Sequence, residues 1–365
     1  MPITEESQEA IQNEISLARK TIKTDDYSMS VGELINLYKD GEITLDPAFQ
    51  RLFRWEDTQK TKLIESILIG IPVPEVFVAQ KSDGTWHVVD GVQRLSTIFQ
   101  LVGELKDTAP LKLTTCKYIP SLDDMSWADL PVSTQREFKK SKLRVNIILT
   151  ENSDEAQYEL FQRLNTGGTA LSEQEVRNCL MLMINTEFYE KINHLKNYSN
   201  FLECIKPLKE HQLEKEFHME LILRMFIGLE AKTNFQDYEP ISKAVISEFI
   251  DKETIKLMKD SDLAKFEDIF KRTFDKMKSA MGENSFKKYD LEKEEFSGAF
   301  NVSTFEMISS GIAKNIESIE NKGNGEIVEK IKEIHRQDEV QASLARGIKP
   351  IKRFKDLTKF AREFF

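Results

Sequence analysis

The sequence predicts an α+β fold, in which a small mixed α/β domain precedes a larger, all-helical domain. The chain of 365 residues is too long for one small core. Short β-branched and aromatic runs, typical of strands, occur before residue 150, and from Asp154 onward apolar residues recur at helical spacing. These observations predict a polar lead-in over residues 1–24, an α/β domain over 25–150 and a helical domain over 151–365.

Composition excludes several classes of protein. A hydrophobic content of 40% and a charged content of 31% are typical of a globular protein. The net charge of −10 argues against a chain that mainly coats nucleic acid, although a local basic face is compatible with it. The three cysteines form no CxxC pair and indicate reduced, buried thiols. Because neither a long apolar run nor a signal pattern is present, we expect a cytoplasmic protein without a membrane segment.

The first domain is expected to alternate helices with strands. A helix is predicted from Tyr27 to Tyr38, with Ser30 as a candidate N-cap, and another from about Thr58 to Leu68, capped by Asp57. The turn residues Ser82-Asp-Gly84 join two strand-like runs and predict a hairpin. The remaining predicted elements are the hairpin strands 75–80 and 85–90, further strands at 112–118 and 143–149, and a short helix at 133–140.

The second domain is expected to contain helices and no strand. A helix over 155–164 ends at the glycine-rich Asn165-Thr-Gly-Gly168, and Ser172 with Glu175 predicts a capping box for the next helix. The basic stretch 346–365 favours a docking helix with a solvated face, and a contact to a partner or nucleic acid is the alternative. Further helices are predicted at about 187–206, 214–230, 240–257, 262–281, 302–320 and 325–345.

The stretch from His87 to Phe99 carries the clearest chemical signal. An apolar strand reaches Asp90-Gly91, and an amphipathic helix starts at once with Gln93 and Arg94 in its first turn. Such a helix start directs backbone N–H groups at one point, which suits an anion such as phosphate. Arg94 could hold a phosphate through two donors, and Asp90 could hold Mg²⁺. Alternatively, Asp90 only caps the helix and Arg94 is solvated.

Gln-Arg dipeptides are more frequent than composition predicts. They occur at Gln50-Arg51, Gln93-Arg94, Gln135-Arg136 and Gln162-Arg163. Arginine supplies planar, bidentate binding to phosphate, and glutamine can orient a water molecule or read a base edge. The dipeptides therefore indicate a phosphate-binding function, with coincidence as the alternative.

Five motifs in order resemble a known family. They are Pro47-Ala-Phe-Gln-Arg-Leu-Phe-Arg-Trp55, Gly70-Ile-Pro-Val-Pro74, Asp90-Gly-Val-Gln-Arg94, Phe161-Gln-Arg-Leu-Asn-Thr-Gly-Gly168 and Leu171-Ser-Glu-Gln-Glu-Val-Arg-Asn178. Together they resemble the N-terminal domain of GmrSD-type, modification-dependent restriction systems, the DGQQR domain with a ParB/sulfiredoxin-like core. The resemblance implies a nucleotide-binding and nucleotide-hydrolysing domain used in bacterial defence against phage.

The resemblance also implies roles for individual residues. Asp90 would organise Mg²⁺ or water, with Asp90 and Gln93 as the catalytic residues, and Gly91, Gln93 and Arg94 would face the phosphates at the helix start. Gln50 and Arg51 would close over the nucleotide from the preceding loop. Arg163 and Asn165 would approach the nucleotide from the glycine-rich turn.

Two of these positions have other interpretations, and one position departs from the family signature. Arg51 could stack on Phe53 or Trp55, and Asn165 could be a left-handed C-cap residue. Val92 stands where the family signature has its first glutamine. The substitution puts a role in hydrolysis or base reading in more doubt than phosphate binding.

No nuclease site is evident. None of the later histidines begins the His-x-x-Pro pattern of the nuclease domain that accompanies this family, and His211 and His218 are spaced too widely for a typical metal pair. We therefore expect a cytoplasmic, Mg²⁺-dependent NTPase acting as a sensor or regulator in restriction, with a nuclease or effector in trans. The second hypothesis is a DNA- or partner-binding module of the same fold that does not hydrolyse nucleotides.

Overall fold

The chain forms two compact units, residues 1–170 and 171–365. The computed structural model describes residues 11–15, 24–45, 55–81, 83–106, 108–149, 172–230, 232–240, 245–260 and 262–365. The domain boundary expected at 150/151 lies outside these residues and stays a prediction. The α+β class is confirmed, since the sheet of the first unit is followed by a mostly helical second unit.

The first unit is built on a five-stranded mixed sheet with the strand order β1-β5-β3-β4-β2. β1 is antiparallel to β5, β5 is parallel to β3, β3 is antiparallel to β4, and β4 is parallel to β2. Along the chain the elements are β1 (Thr24–Ser30), α1 (Val31–Lys39), β2 (Ile43–Thr44), α2 (Asp57–Leu68), β3 (Val76–Gln80), β4 (Trp86–Asp90), α3 (Val92–Leu101), α4 (Val132–Lys140) and β5 (Lys142–Ile148).

The start of this unit differs from the prediction. The segment before Ser30, in part predicted as helix, is β1, which pairs with β5 from Thr24 opposite Ile148 to Ser30 opposite Lys142. Helix α1 begins only at Val31, and its predicted N-cap Ser30 accepts the N–H of Glu33 at 3.1 Å. Because the partner strand lies more than a hundred residues away, local periodicity does not reveal β1.

Helix α2 is also capped differently. Its N-cap is Glu56 and not Asp57, and the backbone N–H of Glu56 donates to the side chain of Gln59 at 3.0 Å. Asp57 lies in the first turn and pairs with Lys60 at 2.9 Å.

The strand predicted at 112–118 is absent from the described chain, where this stretch is irregular. The buried carboxylate of Glu65 on α2 accepts the backbone N–H groups of Tyr118 and Ile119 at 2.5 and 2.8 Å and that of Lys117 at 3.3 Å. A side chain thus satisfies the donors that a sheet would otherwise bond.

Among its described residues, the second unit has one hairpin, β6 (Lys287–Asp290) and β7 (Glu295–Phe300), and its other regular elements are helices. Several predicted helices are divided into two by short breaks. The helices are α5 (Glu173–Ile184), α6 (Thr186–Leu195), α7 (Ser199–Cys204), α8 (Glu210–Glu214), α9 (Phe217–Glu230), α10 (Ile246–Asp260), α11 (Leu263–Ala280), α12 (Val302–Lys314), α13 (Ile316–Ile319), α14 (Asn324–Arg336), α15 (Asp338–Leu344) and α16 (Pro350–Phe364).

The hairpin corrects the expectation of an all-helical second domain. The carboxylate of Asp290 accepts the N–H groups of Glu292 and Lys293 at 3.0 and 3.1 Å, which closes the turn. Tyr289 is buried with its ring 4.8 Å from that of Phe296. All other residues of the two strands are exposed or half-buried, so the strands lack the alternation that predicts a half-buried strand.

The basic C-terminal stretch forms a docking helix, as the first of its two interpretations proposed. The apolar side chains Ile351, Phe354 and Leu357 of α16 are buried. Gly311 of α12 allows close packing, because a Cβ there would lie 2.8 Å from the carbonyl oxygen of Ala361.

A charged network lies inside the second unit. Arg177 is fully buried and donates to Asp251 at 2.6 Å and to Glu220 at 3.2 Å. Arg224 donates to Glu220 at 2.6 and 2.8 Å and also to Glu306. These side chains come from α5, α9, α10 and α12, so the network joins four helices.

The burial of the cysteines agrees with the prediction from the sequence. Cys116, Cys179 and Cys204 are buried and are not joined in disulfide bonds. None of the helices in the described ranges is long and apolar enough to cross a membrane.

We expect Arg177→Met to lower the free energy of unfolding of the protein by about 3–5 kcal/mol, because Asp251 and Glu220 would each lose a buried guanidinium donor. Urea unfolding followed by circular dichroism measures this. Arg272→Met is the matched control. Its guanidinium is more exposed and pairs with Glu320, so its loss should cost less than about 1 kcal/mol. Equal losses in the two variants would contradict the buried network.

We expect His335 to make the second unit sensitive to acid. The side chain is 2% exposed and lies beside the rings of Tyr289 and Phe296. Burial lowers the pKa of His335 from 6.5 to about 4. Between these values the unfolded state binds more protons than the folded state, so the free energy of unfolding falls as the pH drops. His335→Phe should remove roughly 3 kcal/mol of this decrease.

Urea unfolding at pH 7 and pH 4 gives the decrease for each protein. His211→Phe is the control, because His211 is exposed. If the His335 and His211 variants lose the same stability between the two pH values, burial of the His335 imidazole does not cause the acid sensitivity.

Candidate functional site

The turn from β4 into α3 requires glycine. Gly91 has a φ of +89°, in the left-handed region, and is the N-cap of α3. A Cβ at this position would lie 2.9 Å from Cγ2 of Val76 and 3.1 Å from the guanidinium of Arg94. Since glycine has no side chain to cap the helix, the first N–H groups of α3 are left for another acceptor. This arrangement suits an anion.

Asp90 and Arg94 form an ion pair across this turn. Nη2 of Arg94 donates to Oδ2 of Asp90 at 2.5 Å. The Arg94 side chain is 12% exposed, whereas that of Asp90 is 52% exposed. The alternative in which Asp90 caps the helix and Arg94 is solvated is therefore wrong. A guanidinium has five N–H donors, so Arg94 has donors beyond this one bond for an anion at the helix start.

Gln93 ties the start of α3 to the segment before α2. Its Oε1 accepts the backbone N–H of Trp55 at 3.1 Å. On the other side of residues 46–54, Thr44 lies beside His87 in the parallel pair of β2 and β4. Described residues on both sides of residues 46–54 thus lie next to β4 or α3. Gln50 and Arg51 lie outside the described residues.

Val92 belongs to the core. The residue is 4% exposed, between the exposed Asp90 and the half-buried Gln93. In this chain, position 92 therefore presents no side chain to solvent at the helix start.

Two further motifs have outcomes in the structure. Arg163 and Asn165 lie outside the described residues. The capping box that follows them is confirmed. The backbone N–H of Ser172 donates to the Glu175 carboxylate at 2.7 Å, and Ser172 Oγ accepts the backbone N–H of Glu175 at 3.3 Å. The pair Gln135-Arg136 does not join the site through its glutamine. Gln135 Nε2 instead bonds the carbonyl groups of Trp127 and Leu130.

The described residues contain no group of three or more histidine, cysteine, aspartate or glutamate side chains that could hold a metal ion. His218 is buried, while His211 is exposed. Magnesium in nucleotide sites is commonly held by one or two carboxylates together with the substrate phosphates. The half-exposed carboxylate of Asp90 beside an anion-binding helix start fits that donor set.

We expect Gly91→Ala to lower the free energy of unfolding and to disturb Arg94, because the new Cβ meets Val76 as well as requiring a left-handed backbone. Gly84→Ala is a matched control, since Gly84 has a φ of +87° but no atom within 4 Å of its Cβ position. The Gly91 variant should lose about 1–3 kcal/mol more than the Gly84 variant in urea unfolding. Equal losses would contradict the close packing at Gly91.

Residues 31–182 match the family described as the GmrSD restriction endonuclease, N-terminal domain. No curated protein and no solved structure matches the chain. The matched range includes the whole turn from β4 into α3 and ends within α5. The family's description, a restriction endonuclease, suggests a role in a restriction system. Residues 31–182 thus belong to the GmrSD restriction endonuclease N-terminal domain family, as the five motifs predicted.

Proposed function

We propose that this protein binds a nucleoside triphosphate at the start of α3 and hydrolyses it with Mg²⁺, acting as a cytoplasmic sensor or regulator in a restriction system directed at phage. The observation that carries the proposal is the Arg94 guanidinium, which is mostly buried and lies beside the glycine turn that opens α3. A buried cation and the N–H groups of one helix start converge there on a single point.

The phosphates would lie against Gly91 and the first turn of α3. Arg94 would donate to phosphate oxygens in competition with its bond to Asp90. Phosphate binding would thereby leave Asp90 facing added negative charge, a position that favours a cation between carboxylate and phosphate. Mg²⁺, when bound, would neutralise charge that develops on the phosphates. Asp90 is the residue of this chain that we propose to hold it.

Gln93 has two proposed roles, one for its amide oxygen and one for its amide nitrogen. Its Oε1 holds the backbone of Trp55 and thereby fixes the described end of the segment that carries Gln50 and Arg51. Its amide nitrogen would be the group that orients water or phosphate. We also retain Gln50, Arg51, Arg163 and Asn165 as proposed nucleotide contacts, on the basis of their motifs alone.

The second candidate is a DNA- or partner-binding module that does not hydrolyse nucleotides. Two observations favour it. The carboxylate of Asp90 already pairs with Arg94, and the amide oxygen of Gln93 already accepts a backbone bond. Both candidates leave DNA cleavage to a nuclease or effector in trans, because this sequence contains no His-x-x-Pro pattern.

We expect Arg94→Ala to weaken binding of nucleoside triphosphates by about 10–100-fold, because it removes charge-assisted hydrogen bonds to phosphate. Asp90→Ala should retain binding without Mg²⁺ and lose the Mg²⁺-dependent turnover. Calorimetry with each of the four triphosphates measures binding, and phosphate release measures turnover.

Arg136→Ala is the control, since this exposed arginine also follows a glutamine but lies on α4. Turnover that persists in both the Arg94 and the Asp90 variants would contradict the site. Binding by the wild type without turnover of any triphosphate would support the second candidate.

A further inference from the structure

We infer that one row of the first sheet, Asp90–Phe77–Asn146, extends the phosphate site into a nucleoside subsite, with Phe77 and Asn146 contacting the base or sugar. The inference rests on the proposed function and assigns the part of the ligand beyond its phosphates. The row is defined by strand register, in which Phe77 of β3 lies opposite Asp90 of β4 on one side and Asn146 of β5 on the other.

These three residues share one face of the sheet. Residues paired across neighbouring strands project to the same side. The pairing of β3 with β4 shifts between Phe77 and Val78, where β4 has an extra residue, so that Asp90 lies opposite Phe77 although Val88 lies opposite Val78. The positions that alternate with the row, Val78 on β3 and Val145 on β5, are fully buried on the opposite face. The row therefore lies on the face away from that core.

Exposure changes from row to row along this face. The neighbouring row, Ile148–Ala79–His87, is buried. In the row of the proposed subsite, Phe77 and Asn146 are half-buried and Asp90 is exposed. Beyond it, Arg144 is exposed and donates to Asp26. Side chains on this face are therefore buried at one end and become exposed from the row of Asp90 onward. Such a change in exposure suits a recess that holds a ligand.

Asn146 has an unused donor in this recess. Its amide nitrogen is shielded from solvent and bonds to no group among the described residues. A buried donor without an acceptor is unfavourable, so a ligand that supplies an acceptor gains from meeting it. Carbonyl oxygens and ring nitrogens of nucleobases, and the hydroxyl groups of ribose, are such acceptors.

Phe77 supplies the apolar surface. Its ring is half-buried, and no aromatic ring of the described chain stacks on it. Aromatic side chains of this kind bind bases by stacking, whatever the base. Asn146 lies two strand spacings from Asp90, roughly 10 Å at the usual separation of strands. That separation is comparable with the length of a nucleoside attached to its phosphates.

The test separates the nucleoside from the phosphates. Full-length protein is titrated with each nucleoside triphosphate and with inorganic tripolyphosphate, which has the phosphates but no nucleoside. We expect Asn146→Leu and Phe77→Leu each to weaken nucleotide binding about tenfold, while tripolyphosphate binding stays unchanged. Phe77→Tyr, which keeps the ring, should restore nucleotide binding, and Ser28→Ala on β1 should have no effect.

Four results would overturn the inference, and the last of them would overturn the proposed function as well. Unchanged nucleotide binding in both leucine variants would remove the subsite and leave the phosphate site standing. An equal loss of nucleotide and tripolyphosphate binding would show that the row supports the fold or the phosphates. If the wild type binds tripolyphosphate but no nucleotide more tightly, the nucleoside makes no contact here. Failure of the wild type to bind either ligand would overturn the proposed function together with the inference.

Discussion

The close approach of Val76 to Gly91 is the constraint on which the candidate site depends. A Cβ at position 91 would lie 2.9 Å from Val76, so β3 and the start of α3 can be this close only because position 91 is glycine. The left-handed backbone of Gly91 turns the chain from β4 into α3 within one residue. Asp90 and Arg94 consequently lie on the two sides of one turn.

In the proposed function, the ion pair of Asp90 with Arg94 is the chemical centre of this turn. It keeps a mostly buried guanidinium beside a helix start without leaving its charge unpaired. An arriving phosphate could share Arg94 and leave Asp90 in need of a cation. In the proposed function, phosphate binding and Mg²⁺ binding are coupled through the bond between Arg94 and Asp90. The coupling follows from the charges of these groups alone.

The sequence predicted the features that depend on neighbouring residues. The β3–β4 hairpin, the N-cap Ser30 and the Ser172 capping box are all local, and each is confirmed. The arrangement of Asp90, Gly91 and Arg94 was predictable for the same reason. Gln50, Arg51, Arg163 and Asn165 remain predictions.

Features that depend on distant partners could not be predicted in this way. β1 needs β5, and the irregular stretch after residue 111 needs the carboxylate of Glu65 on α2. Phe77 and Asn146 come together only through the parallel pairing of β3 with β5, for which the sequence has no local signal. Val92 is a core residue, and its burial could not be predicted from the sequence because it depends on packing in the folded protein.

The most direct measurement is a crystal structure of the protein with Mg²⁺ and a triphosphate whose β–γ bridge resists hydrolysis. The proposed function requires phosphate oxygens within hydrogen-bond distance of the first N–H groups of α3 and of the Arg94 guanidinium, with the cation at Asp90. A nucleotide bound elsewhere, with Arg94 still paired only to Asp90, would contradict it.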